Sequence, residues 1–276
     1  MALSVNTNNA ALIALENLNN TQSNLTEAQN EISTGLKVSS AKDNAAVWAI
    51  AQGQRADISA LDSVSQSLNR ATSIADVAAT AGQSVSDLLT QLKAKVVAAE
   101  DTSLNTSSRQ ALNNDFKSLL NQINDVINNA SFDGANILNG SIANNLNFLS
   151  NSNGNSTITL GVQNLSIGGT IITFPSTASI GSATAATALL TQVNSSLNNV
   201  DSALGQLGSQ QSAISAQVTF VGKLQDTLTT GVGNLVDANL ASESAKLQAL
   251  QVQQQLGAQA LSIANQAPQI ILSLFK

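Results

Sequence analysis

The sequence predicts a mainly α-helical protein. Long antiparallel heptad helices form a bundle, a small β-hairpin is inserted between them, and the N- and C-terminal helices pair as a coiled coil. Three observations lead to this fold. Only 2 residues are proline, and the hydrophobic 43% contains few aromatics. Apolar residues recur with spacings that alternate between three and four over long stretches. One central segment, rich in small polar residues, interrupts this pattern with short alternating runs.

The N-terminal helix is expected to begin near Asn6 or Thr7, since either residue can cap a helix, and to end at Gly35. Glutamine occupies part of its heptad seam, which weakens a dry interface and can restrict the choice of partner. The seam comprises Leu15, Leu18, Gln22, Leu25, Gln29, Ile32 and Leu36. A polar segment, residues 39–44, then breaks the pattern just before Trp48, the only tryptophan.

The next helix carries the longest seam, and its spacing never slips. The middle positions are Ala and Gly, so a neighbouring helix can approach closely there. The seam comprises Leu61, Val64, Leu68, Ala71, Ala75, Ala78, Gly82, Val85, Leu89, Leu92, Val96 and Ala99. A turn over residues 100–106 ends this helix, and Ser107 with Gln110 predicts a capping box that opens a third helix. The third seam comprises Leu112, Phe116, Leu119, Ile123, Val126 and Ala130.

Residues 139–181 are rich in Gly, Asn, Ser and Thr and predict a small β insert. Alternating apolar residues predict strands around residues 146–148 and 158–162, with an extra strand over residues 170–174. Turns are expected at Asn153-Gly154 and Gly168-Gly169.

Helical spacing resumes after the insert in a second strong seam, which is expected to break at a glycine-containing hinge over residues 229–234. This seam comprises Leu190, Val193, Leu197, Val200, Leu204, Leu207, Gln211, Ile214, Val218, Val221, Gln225 and Leu228. A last helix is expected over roughly residues 236–266, and its apolar positions are Leu247, Leu250, Val252, Leu256, Ala260 and Ile263. The strong central helices should fold alone, whereas the terminal helices should be marginal in an isolated subunit.

The composition excludes several classes of function. Without His or Cys there is no Ser-His-Asp triad, no Cys-His pair and no HExxH zinc motif. The net charge is −6 with no cluster of Lys or Arg, which argues against nucleic-acid binding. No apolar run approaches the ~20 residues of a membrane span. No basic residue precedes Lys37, unlike in a conventional signal peptide. We therefore expect no catalytic site, cofactor, metal or membrane insertion.

Two interpretations of Trp48 remain open. Beside several alanines, a lone ring is most often a local core anchor. Alternatively, it anchors a mobile terminal arm to a rigid bundle. Lys42 and Asp43, in the polar segment before it, are expected to cap or bridge helix ends.

This polar segment resembles a motif of bacterial flagellins. Residues 40–51 read SAKDNAAVWAIA, similar to the family's N-terminal SAKDDAAGxAIA segment. Asn44 replaces Asp, and Val47-Trp48 replaces the usual Gly and a variable residue.

Other stretches carry the same resemblance. Residues 264–274 read ANQAPQIILSL and resemble the family's ANQxPQxxLSL ending, which is a specific motif. Residues 132–134 resemble its FNG turn, and Val5-Asn6-Thr7-Asn8 resembles its opening. The resemblance covers the chain except for about residues 140–180. It is greatest to the short flagellins of Caulobacter-type alphaproteobacteria.

The resemblance implies a subunit that is exported unfolded by the flagellar type III apparatus and polymerises under a cap into an extracellular filament for swimming. The terminal helices would form the inner layer, D0, and the heptad helices the surrounding layer, D1. The implied segments are 1–35 (N-terminal D0 helix), 36–56 (spoke into D1), 57–138 (N-terminal part of D1), 139–181 (β insert), 182–229 (C-terminal part of D1) and 230–276 (C-terminal D0 helix).

The implied partners are copies of the chain, sibling flagellins, the filament cap, hook junction proteins and an export chaperone. The main alternative is a hook–filament junction protein, which shares this architecture but not the specific C-terminal motif. A flagellin-like zinc protease lacks support because there is no His. A secreted coiled-coil adhesin would not need an apolar C-terminus. Subunit contacts in D0 and the spoke are expected at Leu15, Leu18, Leu25, Ile32, Lys42, Asp43, Trp48, Leu247, Leu250, Leu256, Ile263, Asn265, Gln266, Pro268, Leu272, Leu274 and Phe275.

Overall fold

The computed structural model describes the backbone of residues 7–274 and the side chains of residues 7–266. The elements are α1 (Asn9–Thr34), α2 (Ala45–Ala99), α3 (Thr106–Asn129), β1 (Leu146–Leu149), β2 (Thr157–Leu160), α4 (Ala183–Val236) and α5 (Leu240–Leu274). They divide into two compact units. The terminal unit contains the described residues up to Ala56 and from Thr227 onwards, and the central unit is Asp57–Asp226.

Helix α1 begins slightly later than the sequence predicts. Its cap is Asn8, whose Oδ1 accepts a hydrogen bond from the Ala11 backbone N–H at 3.1 Å. Thr7 therefore does not cap α1, and Asn6 lies outside the described residues. The predicted end is confirmed, because Gly35 adopts a left-handed φ of 72° that glycine tolerates without a Cβ penalty.

The predicted seam of α2 is buried along its whole length. Gly82 lies in this seam, where a Cβ would come within 2.7 Å of Leu204 Cδ2 on α4. The Leu204 side chain thus packs onto the space that the glycine leaves. The helix itself starts after Asn44, whose Oδ1 accepts from the Val47 backbone N–H at 3.1 Å.

Helices α2 and α4 run antiparallel in the central unit. Along the hydrogen-bonded pairs between them, residue numbers rise on α2 and fall on α4. At the edges of the seam, neutral Gln and Ser donors bond to Asp carboxylates. These pairs are Gln225–Asp62, Gln211–Asp76 and Ser86–Asp201, at 2.7, 2.7 and 3.2 Å. The two glutamines of the predicted α4 seam therefore bond at its margin.

The predicted break over residues 229–234 is wrong, because α4 continues to Val236. Glycine in a helix interior costs about 1 kcal/mol relative to alanine. Burial of Val232 and Val236 offsets this cost. Helix α5 consequently begins at Leu240, later than predicted.

The capping box predicted at Ser107 and Gln110 is also wrong. The α3 cap is Asn105, whose Oδ1 accepts from the Ser108 backbone N–H at 2.8 Å. Asparagine is as good a cap as serine, and with the cap at Asn105 the helix begins two residues earlier than predicted.

The central insert contains the predicted hairpin. Strands β1 and β2 pair antiparallel, with Leu146 opposite Leu160 and Leu149 opposite Thr157. The predicted turn is present, and Gly154 there has a φ of 70°. The hairpin buries one face, which includes Phe148.

The extra strand predicted over residues 170–174 is wrong. Within the described residues, this segment makes only an isolated bridge between Ile167 and Ile172. Its backbone bonds to α4 side chains instead, as when the Thr173 N–H donates to Ser196 Oγ at 3.0 Å. The apolar alternation reflects burial of Ile172 without a neighbouring strand.

A stripe of polar side chains on α4 holds the insert. The spacings are those of one helix face, and four of the six bonds go to backbone groups of the insert. The stripe comprises Ser196, Asn199, Gln206, Gln210 and Gln217.

Candidate subunit-contact surface

The seam between α1 and α5 combines a few leucines with small residues. Its core contains Leu25 and Leu250, both buried, together with Ala28 and the partly buried Leu247. A Cβ on Gly257 would lie 3.3 Å from Leu18 Cδ1, so the two helices are close there. The inward face of α1 comprises Ala11, Ala14, Leu18, Thr21, Leu25, Ala28 and Ile32.

This face differs from the predicted seam. Leu18, Leu25 and Ile32 belong to both, but Leu15, Gln22 and Gln29 are exposed. On α5, Leu247 and Leu250 face the seam, and the predicted Val252, Leu256, Ala260 and Ile263 are exposed. The prediction followed the larger side chains, whereas the inward face of α1 combines alanines with Leu18, Leu25 and Ile32.

Polar contacts fix the register of this pair. Near one end, Asn8 Nδ2 donates to the Ala264 carbonyl at 2.6 Å. Further along, Gln254 Nε2 donates to Gln22 Oε1 at 2.5 Å. Beyond α1, the Lys37 N–H donates to the Val236 carbonyl at 2.7 Å. A shift of one helix along the other would break these bonds together.

A charged cluster lies near the C-terminal end of α1. Glu243 Oε2 is 3.2 Å from Lys246 Nζ. The carboxyl group of Glu31 lies nearby, and its burial raises its pKa. The neighbouring charge of Glu243 adds to this rise. The hydrogen bond to Glu243 raises the pKa of Lys246. One ammonium group thus serves two carboxylates, so the cluster is least favourable when both are ionised.

The polar loop after α1 is organised by one carboxylate. Asp43 Oδ2 accepts from the backbone N–H and the hydroxyl of both Ser39 and Ser40, at 2.9–3.2 Å. The Ser39 hydroxyl bond is the main reason that the pKa of Asp43 is lowered. The carboxylate closes the loop and does not cap α2, a role that Asn44 fills. The exposed Lys42 lines a groove of about 750 Å³ beside this loop.

Two exposed apolar rows lie outside the α1–α5 seam. Helix α5 presents three large side chains at spacings of four and seven, which place them on one face. Leu256 is 63% exposed and Leu12 of α1 is 57% exposed. The rows comprise Val252, Leu256 and Ile263 on α5, and Leu12 and Leu15 on α1, beside the exposed Ile13. Such a concentration of exposed large apolar residues is typical of a protein contact surface.

The predicted contact residues fall into four groups. Leu25 and Leu250 are in the core of the pair, and Leu18, Ile32 and Leu247 are half-buried beside it. Leu15, Leu256, Ile263, Asn265, Gln266, Lys42 and Asp43 are exposed. Trp48 is half-buried, one turn before the buried Ala51. Pro268, Leu272, Leu274 and Phe275 lie outside the described side chains.

The described part of the chain shows no arrangement suited to a metal, since no three His, Cys, Asp or Glu residues cluster there. None of its helices is both long enough and apolar enough to cross a membrane.

Comparison with known proteins identifies the family. The model for the bacterial flagellin N-terminal helical region matches residues 5–143, and the one for the C-terminal helical region matches residues 190–275. The chain belongs to the bacterial flagellin family. Flagellin FljJ of Caulobacter vibrioides is 53% identical over 280 residues, covering 100% of this chain and 99% of its own. A flagellin of Brucella melitensis is 38% identical and covers 99% of both chains.

A solved structure agrees on the fold. The crystal structure of Bacillus cereus flagellin matches with a TM-score of 0.50 at 16% identity, covering 56% of this chain and 88% of that one. The family matches and the full-length relatives, and not this structure, show that the chain is a structural subunit of the extracellular bacterial flagellar filament and not an enzyme. The identity to Caulobacter flagellin over the full length supports the Caulobacter-type resemblance that the sequence motifs indicate.

Proposed function

We propose that this flagellin polymerises with copies of itself and with sibling flagellins through the apolar rows of its terminal unit. The exposure of these rows is the observation that carries the proposal. Burying a Leu or Ile side chain contributes about 1.5–3 kcal/mol. Contacts between subunits would therefore recover apolar free energy that the α1–α5 seam leaves unused.

Assembly is coupled to the ordering of the terminal helices. Their pair has a small core, Leu25 and Ala28 against Leu250 and Leu247. Ordering a residue costs about 1–2 kcal/mol in backbone entropy. So small a core offsets little of that cost, so neighbouring subunits supply the remainder. An exported monomer would then remain unassembled until it reaches the growing filament.

The segments take the places that the resemblance implies. Residues 1–35 and 230–276 form the inner layer D0, and residues 36–56 form the spoke to D1. Trp48 anchors the angle at which the spoke enters D1. Export through the type III apparatus with a chaperone, assembly under a cap, and attachment to junction proteins complete the proposed cycle.

A single substitution in the α5 row tests the contact. Leu256→Gln removes an exposed apolar group without disturbing the α1–α5 seam. Losing about 1.5–3 kcal/mol per subunit raises the critical concentration for seeded polymerisation by roughly 10- to 150-fold. Ser262→Gln, at another exposed position of α5, is the matched control and leaves assembly unchanged. An unchanged critical concentration for Leu256→Gln overturns the contact surface.

Proteolysis of the monomer tests the coupling of folding to assembly. We expect protease to trim roughly the first 40 and last 40 residues and leave a folded remainder. Deleting residues 270–276 should abolish assembly while the main melting transition stays in place. Normal filaments from the truncated chain, or termini as resistant as residues 61–99, would contradict the coupling.

A further inference from the structure

We propose that Asn153 is a site of spontaneous covalent modification, where the side-chain amide is lost and the residue becomes aspartate or isoaspartate. The site lies at the tip of the β1–β2 hairpin, where Asn153 precedes Gly154. An asparagine followed by glycine cyclises readily, because glycine leaves its own amide nitrogen unshielded and its backbone mobile.

The local geometry leaves the reacting groups accessible. Asn153 is exposed, and among the described residues its side chain has no hydrogen-bond partner. Nothing lies within 4 Å of the position that a Cβ on Gly154 would take. The Gly154 N–H donates only a long bond, 3.3 Å, to the Asn151 carbonyl. Little structure therefore has to open before the two groups can meet.

The reaction needs only water. The backbone nitrogen of Gly154 attacks Cγ of Asn153, a new C–N bond forms, and the nitrogen's proton passes to solvent. The Cγ–Nδ2 bond breaks and ammonia leaves with a proton from water, which gives a five-membered succinimide. Water then adds to either carbonyl of that ring. Opening at one side yields aspartate, and opening at the other yields isoaspartate, with an extra methylene in the main chain.

The second Asn-Gly pair of the chain provides an internal comparison. Asn139 is partly buried, and its Oδ1 accepts from the Ser141 N–H at 3.0 Å. Its backbone N–H is held by Asn136 Oδ1 at 3.1 Å. The Asn164 side chain crowds Gly140, where a Cβ would come within 2.7 Å of it. Cyclisation at Asn139 requires these contacts to break first.

An Asp-Gly pair with the same chemistry is also restrained. Asp133 precedes Gly134, but its Oδ2 lies 3.0 Å from Arg70 Nη2. The surrounding turn is closed by bonds in both directions between Phe132 and Ala135. A carboxyl group held by a guanidinium is less open to attack, so of the three positions Asn153 is the one whose reacting groups are least restrained.

Modification would change the charge of the hairpin surface without changing the fold. Each event adds a negative charge to a chain whose net charge is already −6. The strands beside the turn remain joined by the Ser150–Ser156 hydroxyl bond at 2.8 Å. Because subunits of an extracellular filament are outside the cell, the product should accumulate with the age of the subunit.

Peptide mapping by mass spectrometry tests the proposal. Folded protein is incubated at mildly alkaline pH, and conversion at Asn153 and Asn139 is followed over days, with isoaspartate identified by fragmentation. We expect Asn153 to react about tenfold faster or more, equivalent to about 1.4 kcal/mol. A parallel incubation in urea should bring the two rates together, since the protection at Asn139 is structural.

Two further results decide the question. Asn153→Gln should remove the acidic charge variant that appears on isoelectric focusing, because glutamine cyclises far more slowly. Retention of that variant would refute the assignment. The proposal is also overturned if folded protein converts Asn139 as fast as Asn153, or if Asn153 reacts only in urea.

Discussion

Asn136 is a buried polar residue on which the start of the insert depends. Only 4% of it is exposed. Its Nδ2 donates to the carbonyls of Ile127 and Asn128, at 2.7 and 3.2 Å, in the last turn of α3. Its Oδ1 accepts from the N–H groups of Leu138 and Asn139, at 2.8 and 3.1 Å. One side chain thus joins a helix end to the segment that follows it.

Asn136→Leu keeps a similar volume but removes all of these bonds. The bonds to Ile127 and Leu138 are buried, and leaving each partner unpaired costs about 1–3 kcal/mol. The other two are part-buried, so water can replace them in part. We expect a loss of about 2–5 kcal/mol, which lowers Tm by roughly 5–15 °C in a unit of this size.

Thermal and urea unfolding, followed by circular dichroism, measure this loss. Asn124→Leu is the matched control, because Asn124 is an exposed asparagine on α3 and its change should stay within about 0.5 kcal/mol. Asn136→Asp adds a second comparison. Its carboxylate would face two carbonyls at a helix C-terminus, so the loss should shrink when acid protonates it. If Asn136→Leu unfolds like the wild type, the argument from buried hydrogen bonds is refuted.

Three further changes test individual contacts. The pKa of Glu31 is raised from 4.5, so its contribution to the α1–α5 pair is full below pH 4.5 and is lost as pH rises through the raised pKa. Glu31→Gln should flatten that dependence in melts across this range. The pKa of Asp43 is lowered from 3.8, so its contribution is present above pH 3.8 and is lost as pH falls through the lowered pKa. Asp43→Asn should speed proteolysis of the loop at neutral pH. Gly82→Val should cost about 1–3 kcal/mol in thermal unfolding through its clash with Leu204, and Gly82→Ala should cost less.

The central helices could be predicted because their apolar residues repeat on a single helix face. In α2 the apolar spacing fits one face only, and the structure buries that face from Leu61 to Ala99. Helix α4 was predicted less well, since seam positions such as Val193 and Val200 are buried while Leu190 and Leu197 are only half-buried, and its end was missed. The glycines near its end are typical of a helix break. Only the burial of Val232 and Val236 in the folded protein shows that the helix continues.

The terminal helices have two apolar faces, and periodicity cannot rank them. On α1, Leu12, Ile13 and Leu15 are all exposed, while the inward face carries alanines with Leu18 and Leu25. A rule that follows side-chain size favours residues that the structure leaves exposed. The distinction depends on whether the partner is in the same chain or in another one, which spacing does not encode.

The insert was hardest to predict because its partner is a polar helix face. Amides and hydroxyls on a helix are usually solvated, so Asn199 and Gln210 carry no signal in the sequence. In the structure they bond to the Ile171 carbonyl and the Gly161 N–H, at 3.1 and 2.9 Å. Those bonds satisfy backbone groups that a sheet would otherwise pair.

The division of side chains between the two faces of α1 and α5 explains how the subunit can both remain separate and polymerise. Inside the pair, residues such as Ala11, Ala14 and Gly257 bring little apolar area, since a methyl group contributes only about 0.8 kcal/mol. Had Leu256 or Ile263 faced inward, the pair would be more stable alone and would offer less to a neighbour. In the proposed assembly, keeping them outside would reserve the larger contribution for contacts between subunits.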